Sequence, residues 1–407
     1  MKIPCYSCKT ETELEVGFDV VNFACPSCQT LYTVGPDGRF YKKSQYNTKN
    51  NDFALQLGDV GLLKGSEYRV VGILRKNVHP DYSWSEFILQ NDAKEFLYLS
   101  LSDGHWILLS QMDEIFNVQS HPEVLEYENK QYDIFEDSDA TIINAQGFFD
   151  FDLTNHKKMH LVEYIRPPYM ISVEKANGSE TAFYGEYVKK EVIKKAFKKS
   201  YVPYQVGVNM IQPAKFNVRN TGIIFCFFAL LILTVNWYVY KDQAEKNVFS
   251  KTIKFSEFNN KDFTTDSFVL EGASAPMTVR VSTGVDNSWA NVNMALINED
   301  TSEEIYASKD IEYYHGNTDG ESWTEGNASE KFNICGVKAG KYHFVITPAK
   351  APEDKTNAEM QVSAVWSQPS NRNLWFVIIF MGIIFFIIRY FTMNFENRRW
   401  ADSSYSD

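Results

Sequence analysis

The chain has 407 residues and a net charge of −12, with 52 acidic against 40 basic side chains. This length accommodates two or three domains, and the negative charge argues against general nucleic-acid binding. The mean hydropathy of −0.31 indicates that most of the chain is water-soluble. The opening MKIPCYSCK lacks the apolar stretch of a signal peptide, so we expect a later apolar segment to direct membrane insertion.

Residues 1–35 carry the most specific motif, two Cys-x-x-Cys pairs with 16 residues between them. Each pair can form a tight turn that points two thiolates at one ion, and four thiolates complete the closed tetrahedral site of structural zinc. Iron, or a disulfide or redox pair, are the alternatives, although a reducing compartment disfavours a disulfide. We predict a zinc ribbon whose metal supplies its folding free energy. The predicted ligands are Cys5, Cys8, Cys25 and Cys28.

The polar residues 36–51 contain glycine, proline and several asparagines, which predicts a turn followed by a linker. In residues 52–200, short segments of alternating apolar residues recur about every ten residues between turn residues. This pattern predicts an antiparallel β-barrel or sandwich-like domain. The segments fall into two sets, which we interpret as two tandem β units.

A series of mainly glycine, aromatic and acidic positions recurs through this domain. The positions are Leu57, Gly58, Asp59, Gly65, Tyr68, Val70, Gly72, Trp84, Glu86, Leu89, Gly104, Trp106, Ser172, Glu174, Tyr184, Gly185, Glu186 and Tyr187. The series resembles a bacterial family known as domain of unknown function 4178. The resemblance covers roughly residues 55–200, about a third of the chain, and the family has no established activity. Its members are often fused to zinc ribbons and membrane segments, and some occur near genes for phage-shock-protein-A-like remodelling proteins and polyamine aminopropyltransferases. The resemblance therefore implies a role at the membrane or in envelope stress.

Three of these residues, Trp84, Glu86 and Trp106, have two interpretations. The first is structural, with aromatic cross-strand packing around one hydrogen-bonded carboxylate. The second is a ligand site. Acidic and aromatic side chains gathered in one pocket would favour the ligand site, and a fully packed region would exclude it.

Residues 187–199 predict a basic amphipathic helix, with apolar side chains on one face and lysines on the other. The helix could be a solvated cap on the β domain. It could also lie on the anionic inner leaflet, where each lysine contributes at most about 1 kcal/mol. The apolar side chains are Val188, Val192, Ile193, Ala196 and Phe197, and the predicted membrane-surface lysines are Lys189, Lys190, Lys194, Lys195, Lys198 and Lys199.

After a linker over residues 201–220, residues 221–240 form an uncharged run long enough to cross the roughly 30 Å hydrocarbon core of a bilayer. Residues 374–391 form a second run, whose only charge, Arg389, lies near its end. Lysines and arginines concentrate before the first run and after the second. The positive-inside rule therefore predicts a multi-pass inner-membrane protein with both termini in the cytoplasm and residues 241–373 outside.

Residues 241–373 contain eight strand-like segments, which predict an extracytoplasmic β-sandwich of jelly-roll type. Residues 392–407 are short and polar, and we expect a flexible cytoplasmic tail. The predicted fold class is therefore mainly β with two transmembrane helices.

No nucleophile–base pair, phosphate-binding loop or open metal site stands out in the sequence. We therefore predict a non-enzymatic, membrane-anchored envelope sensor or scaffold that links the extracytoplasmic domain to a cytoplasmic protein partner. The alternative is an enzyme or enzyme accessory that handles a small cation such as a polyamine, which rests on the family resemblance. The bilayer is the other predicted partner, and the sequence assigns no oligomeric state.

Overall fold

The computed structural model describes residues 2–46, 52–78, 82–118, 120–242, 245–367 and 371–406. The chain forms two compact units. Unit 1 comprises Met1–Val218 and Ile387–Asp407, and unit 2 comprises Arg219–Phe386. Most of the regular structure is β, which confirms the predicted mainly-β class.

Unit 1 begins with five short strands around the cysteine motif. The first two pair only with each other, and the other three join the edge of the main sheet of unit 1. The prediction of a linker over residues 36–51 is wrong for its middle part, where a strand pairs with the preceding one across a turn. Residues 47–51 lie outside the described residues. The strands are β1 (Lys2–Pro4), β2 (Glu11–Glu13), β3 (Asn22–Ala24), β4 (Thr30–Val34) and β5 (Phe40–Gln45).

Ten further strands and one short helix follow in unit 1. They are β6 (Val60–Leu63), β7 (Ser66–Val78), β8 (Tyr82–Asn91), β9 (Phe96–Ser102), β10 (His105–Met112), β11 (Val124–Tyr127), β12 (Lys130–Phe149), β13 (Lys158–Arg166), β14 (Tyr169–Ala176), β15 (Ser179–Val188) and the helix α1 (Lys190–Ala196).

Eight of these strands form a closed antiparallel barrel, in the order β7-β8-β9-β10-β15-β14-β13-β12. Strand β12 is 20 residues long. Its first half pairs with β13 and its second half with β7, and this last pairing closes the ring. The prediction of two tandem β units is therefore wrong, because β12, which lies in the second set of segments, pairs with β7 of the first set and unites both in a single barrel.

Successive side chains of a barrel strand point to opposite faces. In β8, Phe87 and Leu89 are fully buried in an exterior apolar cluster together with Ile193 of α1. Trp84 and Glu86 of the same strand line the interior, where polar and apolar groups both occur. Elements outside the barrel thus cover its exterior apolar face.

Unit 2 contains two antiparallel sheets, one of four strands and one of six. The inward side chains of the two sheets form one apolar cluster. The jelly-roll connection stays a prediction. The strands are β16 (Lys246–Lys254), β17 (Phe263–Thr264), β18 (Phe268–Leu270), β19 (Ala275–Thr283), β20 (Ser288–Asn298), β21 (Glu304–Thr318), β22 (Glu321–Asn327), β23 (Ser329–Val337), β24 (Gly340–Lys350) and β25 (Glu359–Trp366).

Three helices complete the chain, α2 (Val218–Tyr240), α3 (Phe255–Phe258) and α4 (Arg372–Trp400). By length and composition, α2 and α4 could each cross a membrane, and the apolar window of each is unburied. Helix α4 continues well past the predicted end of the second run at Phe391. The expected flexible tail is instead helical up to Trp400 and then packs on the barrel, because Arg399 and Ser403 are buried there.

Candidate functional site

The four predicted metal ligands come together in unit 1. Their sulfur atoms all lie within 4.8 Å of one another. The Cys5 and Cys28 Sγ atoms are 3.5 Å apart, and those of Cys8 and Cys25 are 3.7 Å apart. The four thiols could therefore hold one metal ion, as the spacing predicts.

The strands that follow the first cysteine pair share a core with the barrel. Phe23 of β3 lies opposite Phe148 of β12, and both side chains are fully buried. The Tyr32 ring lies 6.2 Å from that of Phe23, and its hydroxyl lies 3.3 Å from the Cys5 sulfur. Strands β3 to β5 are thus joined to the barrel sheet, whereas β1 and β2 pair with each other and contribute Ile3 to the shared apolar cluster.

A cavity of about 540 Å³ lies inside the barrel, lined mainly by inward side chains of β8, β9, β10, β13 and β14. Apolar and aromatic groups form part of its wall, including Tyr82 and Trp84, whose ring centroids are 5.7 Å apart. Six acidic residues line the same space. These are Glu86, Asp103, Glu136, Glu163, Glu174 and Asp402.

One buried cation, Lys76, holds two of these carboxylates at the centre of the barrel. Its Nζ lies 2.7 Å from Glu174 Oε1 and 2.9 Å from Glu86 Oε2, and the lysine side chain is 3% exposed. Trp84 Nε1 donates a hydrogen bond of 2.7 Å to the other Glu86 oxygen. Burial alone would lower the pKa of Lys76, but Glu174 and Glu86 raise it above its ordinary value, so the ammonium stays charged.

Glu163 forms no ion pair with any residue that the structure describes. Burial, reinforced by Glu136, Glu174 and Glu86, raises its pKa to about 8. The Ser172 hydroxyl donates to Glu163 Oε1 at 3.5 Å. Among the described residues that line the cavity there is no lysine or arginine.

A second cavity of about 230 Å³ lies on the other side of the Lys76 network, and Glu86 and Glu174 line both cavities. Its wall includes Tyr98, Phe183 and Asp150. Burial raises the pKa of Asp150. The barrel interior is therefore an acidic space divided by one lysine with its two carboxylates.

The structure separates the three residues that allowed two interpretations. Trp84 and Glu86 line the cavity, but Trp106 points outward and stacks on Phe87 with a centroid distance of 5.8 Å. Lys76 and Glu163 were not predicted as site residues from the sequence. A signal for Glu163 existed in β13, where Met159, Leu161 and Glu163 alternate with outward-facing residues.

The basic segment contains a helix shorter than predicted. Ile193 and Phe197 are buried against the barrel exterior, as a cap requires, but Val192 is 50% exposed and does not belong to the apolar face. Lys199 pairs with Asp59 at 2.6 Å, and the Lys190 ammonium lies 5.3 Å from the Tyr204 ring. The exposed lysines are Lys189, Lys194, Lys195 and Lys198.

Comparison with solved structures gives only weak likenesses. The chain is similar to a structure of infectious bursal disease virus Gt strain, with 9% identity and a TM-score of 0.19 over 87% of this chain and 70% of that one. It is also similar to the insecticidal δ-endotoxin Cry8Ea1 from Bacillus thuringiensis, with 6% identity and a TM-score of 0.18 over 75% and 54%. Likenesses at this level carry no argument about fold or function.

No curated protein matches the chain significantly. Residues 56–190 match the family model described as Domain of unknown function (DUF4178), and these residues include most of the barrel. The glycine and aromatic positions in the sequence pointed to the same family. Residues 56–190 are therefore similar to the DUF4178 domain family.

Proposed function

We propose that this chain is a membrane-anchored sensor whose barrel binds a small organic cation. The observation that carries the proposal is the excess of acidic over basic side chains that line the cavity, above all Glu163, for which the described residues supply no ion pair. A buried carboxylate is costly unless it is neutralised or paired. An ammonium group that enters the cavity would pair with Glu163 and offset that cost.

The form of the cavity supports an organic ligand. Its volume lies in the range of small-molecule sites, and an eight-stranded barrel is wide enough to hold one small ligand. The Tyr82 and Trp84 rings offer faces for a cation, and Ile107, Leu161 and Met170 offer apolar contacts for a carbon chain. A linear amine carries both a cationic group and a carbon chain, so it matches both kinds of contact.

The membrane part of the proposal rests on α2 and α4. With these helices as spans, the lysine and arginine distribution places the barrel and the cysteine cluster in the cytoplasm and residues 241–373 outside. The barrel would then report a cytoplasmic cation to a cytoplasmic protein partner, or connect it to the extracytoplasmic domain, in an envelope-stress setting. Detergent-free topology mapping with cysteine reagents on intact cells checks this orientation.

The cysteine cluster is proposed to hold structural zinc. Four thiolates suit zinc, and they leave no position for water. The Tyr32 hydroxyl beside Cys5 would orient one ligand. The ion would therefore stabilise the fold and take no part in chemistry.

Cation binding is expected to strengthen as the pH rises through about 8. A cation interacts better with the ionised carboxylate than with the neutral acid, and Glu163 is largely protonated below its raised pKa. Titration of the full-length protein in nanodiscs with a quaternary ammonium probe, whose own charge does not depend on pH, measures this effect. We expect affinity to increase about tenfold between pH 6 and 9, the size of one modest buried charge interaction.

Glu163→Gln removes the titrating group and should make the affinity low and independent of pH over this interval. Glu67→Gln is the matched control, because Glu67 lies exposed on β7 outside the cavity. An affinity that rises equally with pH in wild type and Glu163→Gln would contradict the assignment of Glu163 as the cation's partner.

The basic helix is proposed to lie against anionic lipid. In full-length protein we expect slower amide exchange in residues 189–199 in nanodiscs of anionic lipid than in zwitterionic ones. Replacing Lys189, Lys194 and Lys195 by glutamine should abolish the difference, since each exposed lysine contributes electrostatically. Replacement of the exposed Lys42 and Lys43 serves as control. Equal amide exchange in both lipids would indicate that the helix caps the barrel and does not bind the lipid surface.

One observation favours the enzymatic alternative. A carboxyl with a pKa of about 8 can accept or donate a proton near neutral pH, as a general acid or base does. Incubation of the protein with a polyamine, followed by mass spectrometry of the small molecules, distinguishes the two functions. A sensor returns the amine unchanged, and an enzyme converts it in a reaction that Glu163→Gln abolishes.

A further inference from the structure

Two segments outside the barrel strands cover one end of the large cavity. The first is the strap, residues 202–212, which runs from the region of α1 towards α2. The second is the C-terminal segment, residues 399–406. Residues 206–210 of the strap and Asp402 of the C-terminal segment line the cavity. Any ligand that enters at this end must pass between them.

The strap is fastened to the barrel by a turn between β9 and β10. The Val206 amide donates to the Asp103 carbonyl at 2.9 Å, and its carbonyl lies 3.2 Å from His105 Nε2. The Tyr204 carbonyl approaches Gly104 so closely that a Cβ there would lie 2.0 Å from the oxygen. Gly104 also has a φ of +77°, so both its backbone conformation and its contact require glycine.

Arg399 joins the end of α4 to the strap. It is only 1% exposed, and its guanidinium donates to the carbonyls of Met210 at 2.5 Å and Gln212 at 2.7 Å. Glu396 binds the other edge of the guanidinium, with 2.8 Å from Nε to Oε2. A buried arginine that is satisfied by several carbonyls and one carboxylate is a specific connection, because no other side chain offers this fork of donors.

The residues after Arg399 hold the same end of the barrel. The Ser403 hydroxyl donates to the Phe135 carbonyl, and the Asp137 amide donates to Ser404 Oγ at 3.1 Å. The Trp400 ring packs on Phe135, and strap residue Ile211 is fully buried in the same apolar cluster. The strap and the C-terminal segment therefore share one packed interface with the barrel.

We infer that the strap and the C-terminal segment form a clasp, locked by Arg399, that controls access to the barrel cavity. The strap leads through the chain into α2, which begins at Val218, and Arg399 lies in the last turn of α4. Opening the clasp therefore requires that Arg399 separates from the carbonyls of the strap. Cavity occupancy and the contact between Arg399 and the strap bias each other reciprocally.

The clasp would regulate access to the proposed cation site, so it rests on the proposed function. Its test does not need the natural ligand. Ser100 lines the cavity from β9. We would introduce Ser100→Cys into the full-length protein in nanodiscs and measure its modification rate by a small thiosulfonate reagent, in a cationic and an uncharged form. Peptide mass spectrometry separates this site from the native cysteines, and exposed Cys335 reports reagent activity.

Arg399→Ala in this background is expected to raise the modification rate of Cys at position 100 by about tenfold or more with both reagents, since several charge-assisted hydrogen bonds are lost. Arg398→Ala, which removes the same charge from the exposed neighbouring residue, should leave the rate unchanged. Equal rates in wild type, Arg398→Ala and Arg399→Ala would overturn the clasp.

Arg399→Lys and Ser403→Ala are tested as well, so that the clasp can still be assessed if Arg399→Ala does not fold. Each weakens the clasp without emptying the site, so each should raise the rate by a smaller factor while the barrel keeps its cooperative unfolding transition. A rate unchanged in both would also count against the clasp. A clasp that opens as expected but shows no preference for the cationic reagent would argue against the proposed cation specificity alone.

Discussion

Lys76→Met is expected to destabilise the barrel by about 3–5 kcal/mol, the usual cost of breaking a buried ion pair by removing one partner. The substitution leaves Glu86 and Glu174 without the ammonium that lies 2.9 and 2.7 Å from them. Lys76 is 3% exposed and the side chains of Glu86 and Glu174 are 14% and 23% exposed, so solvent replaces only part of the lost interaction. Denaturant unfolding of the full-length protein in detergent, followed by tryptophan fluorescence, measures the change.

The variant should also acquire a characteristic pH dependence. Without Lys76, the pKa of Glu174, which burial already raises above its ordinary value, rises further. Folding then favours the protonated carboxyl, so stability decreases as the pH rises. Adding Glu86→Gln and Glu174→Gln to Lys76→Met should restore much of the lost stability. The exposed Lys158→Met on β13 is the control, with an expected change within about 0.5 kcal/mol.

A Lys76→Met protein as stable as the control at neutral pH would show that Lys76 does not hold the two carboxylates as described. The same result would weaken the case for an acidic cavity, because Glu86 and Glu174 would then be neutral without their partner. The comparison therefore tests the electrostatics on which the proposed ligand class depends.

Removal of the metal is the second change from which we expect a large effect. The loss of structure should be local. Apparent binding free energies of structural zinc sites are about 10–16 kcal/mol, so chelation should disorder the part of the chain that the metal alone organises. Strands β1 and β2 pair only with each other. Strand β3 keeps its pairing with β12 and the packing of Phe23 on Phe148, and β4 and β5 continue the same sheet.

Amide exchange before and after chelation distinguishes these two parts. Residues 2–13 should exchange much faster in the metal-free protein, while β7 and β8 should be unchanged. Metal analysis should find one zinc per chain, lost in Cys25→Ser and retained in Cys335→Ser. Uniform loss of protection across the barrel, or a chain without bound metal, would contradict this account of the cysteine cluster.

The sequence predicted those features that depend on local spacing. Cys-x-x-Cys pairs fix where thiols can meet, and the alternation of Trp84, Glu86 and Phe87 assigns two residues to one face and one to the other. Closure of the barrel depends on β12 pairing with β7, which joins residues more than 60 positions apart in the chain. No local pattern encodes that register, so two β units were predicted instead of one barrel.

The missed site residues have the same physical origin. Lys76 stands near the end of an apolar strand, where a lysine is usually exposed, and only the barrel brings Glu174 and Glu86 to it. Arg399 was counted among the flanking charges of the second apolar run. Its burial depends on carbonyls of Met210 and Gln212, nearly 190 residues earlier in the chain. Long-range partners of this kind leave no trace in local periodicity.

The central claim is that the barrel interior binds a small organic cation, and the most direct measurement locates a bound amine. The full-length protein in nanodiscs would be photolabelled with a diazirine-bearing linear amine and digested for peptide mass spectrometry. The account predicts labels on peptides of β8 and β13, which carry Glu86 and Glu163, and suppression by excess unlabelled amine or by Glu163→Gln. Labels confined to unit 2, or spread over exposed acidic residues without competition, would contradict it.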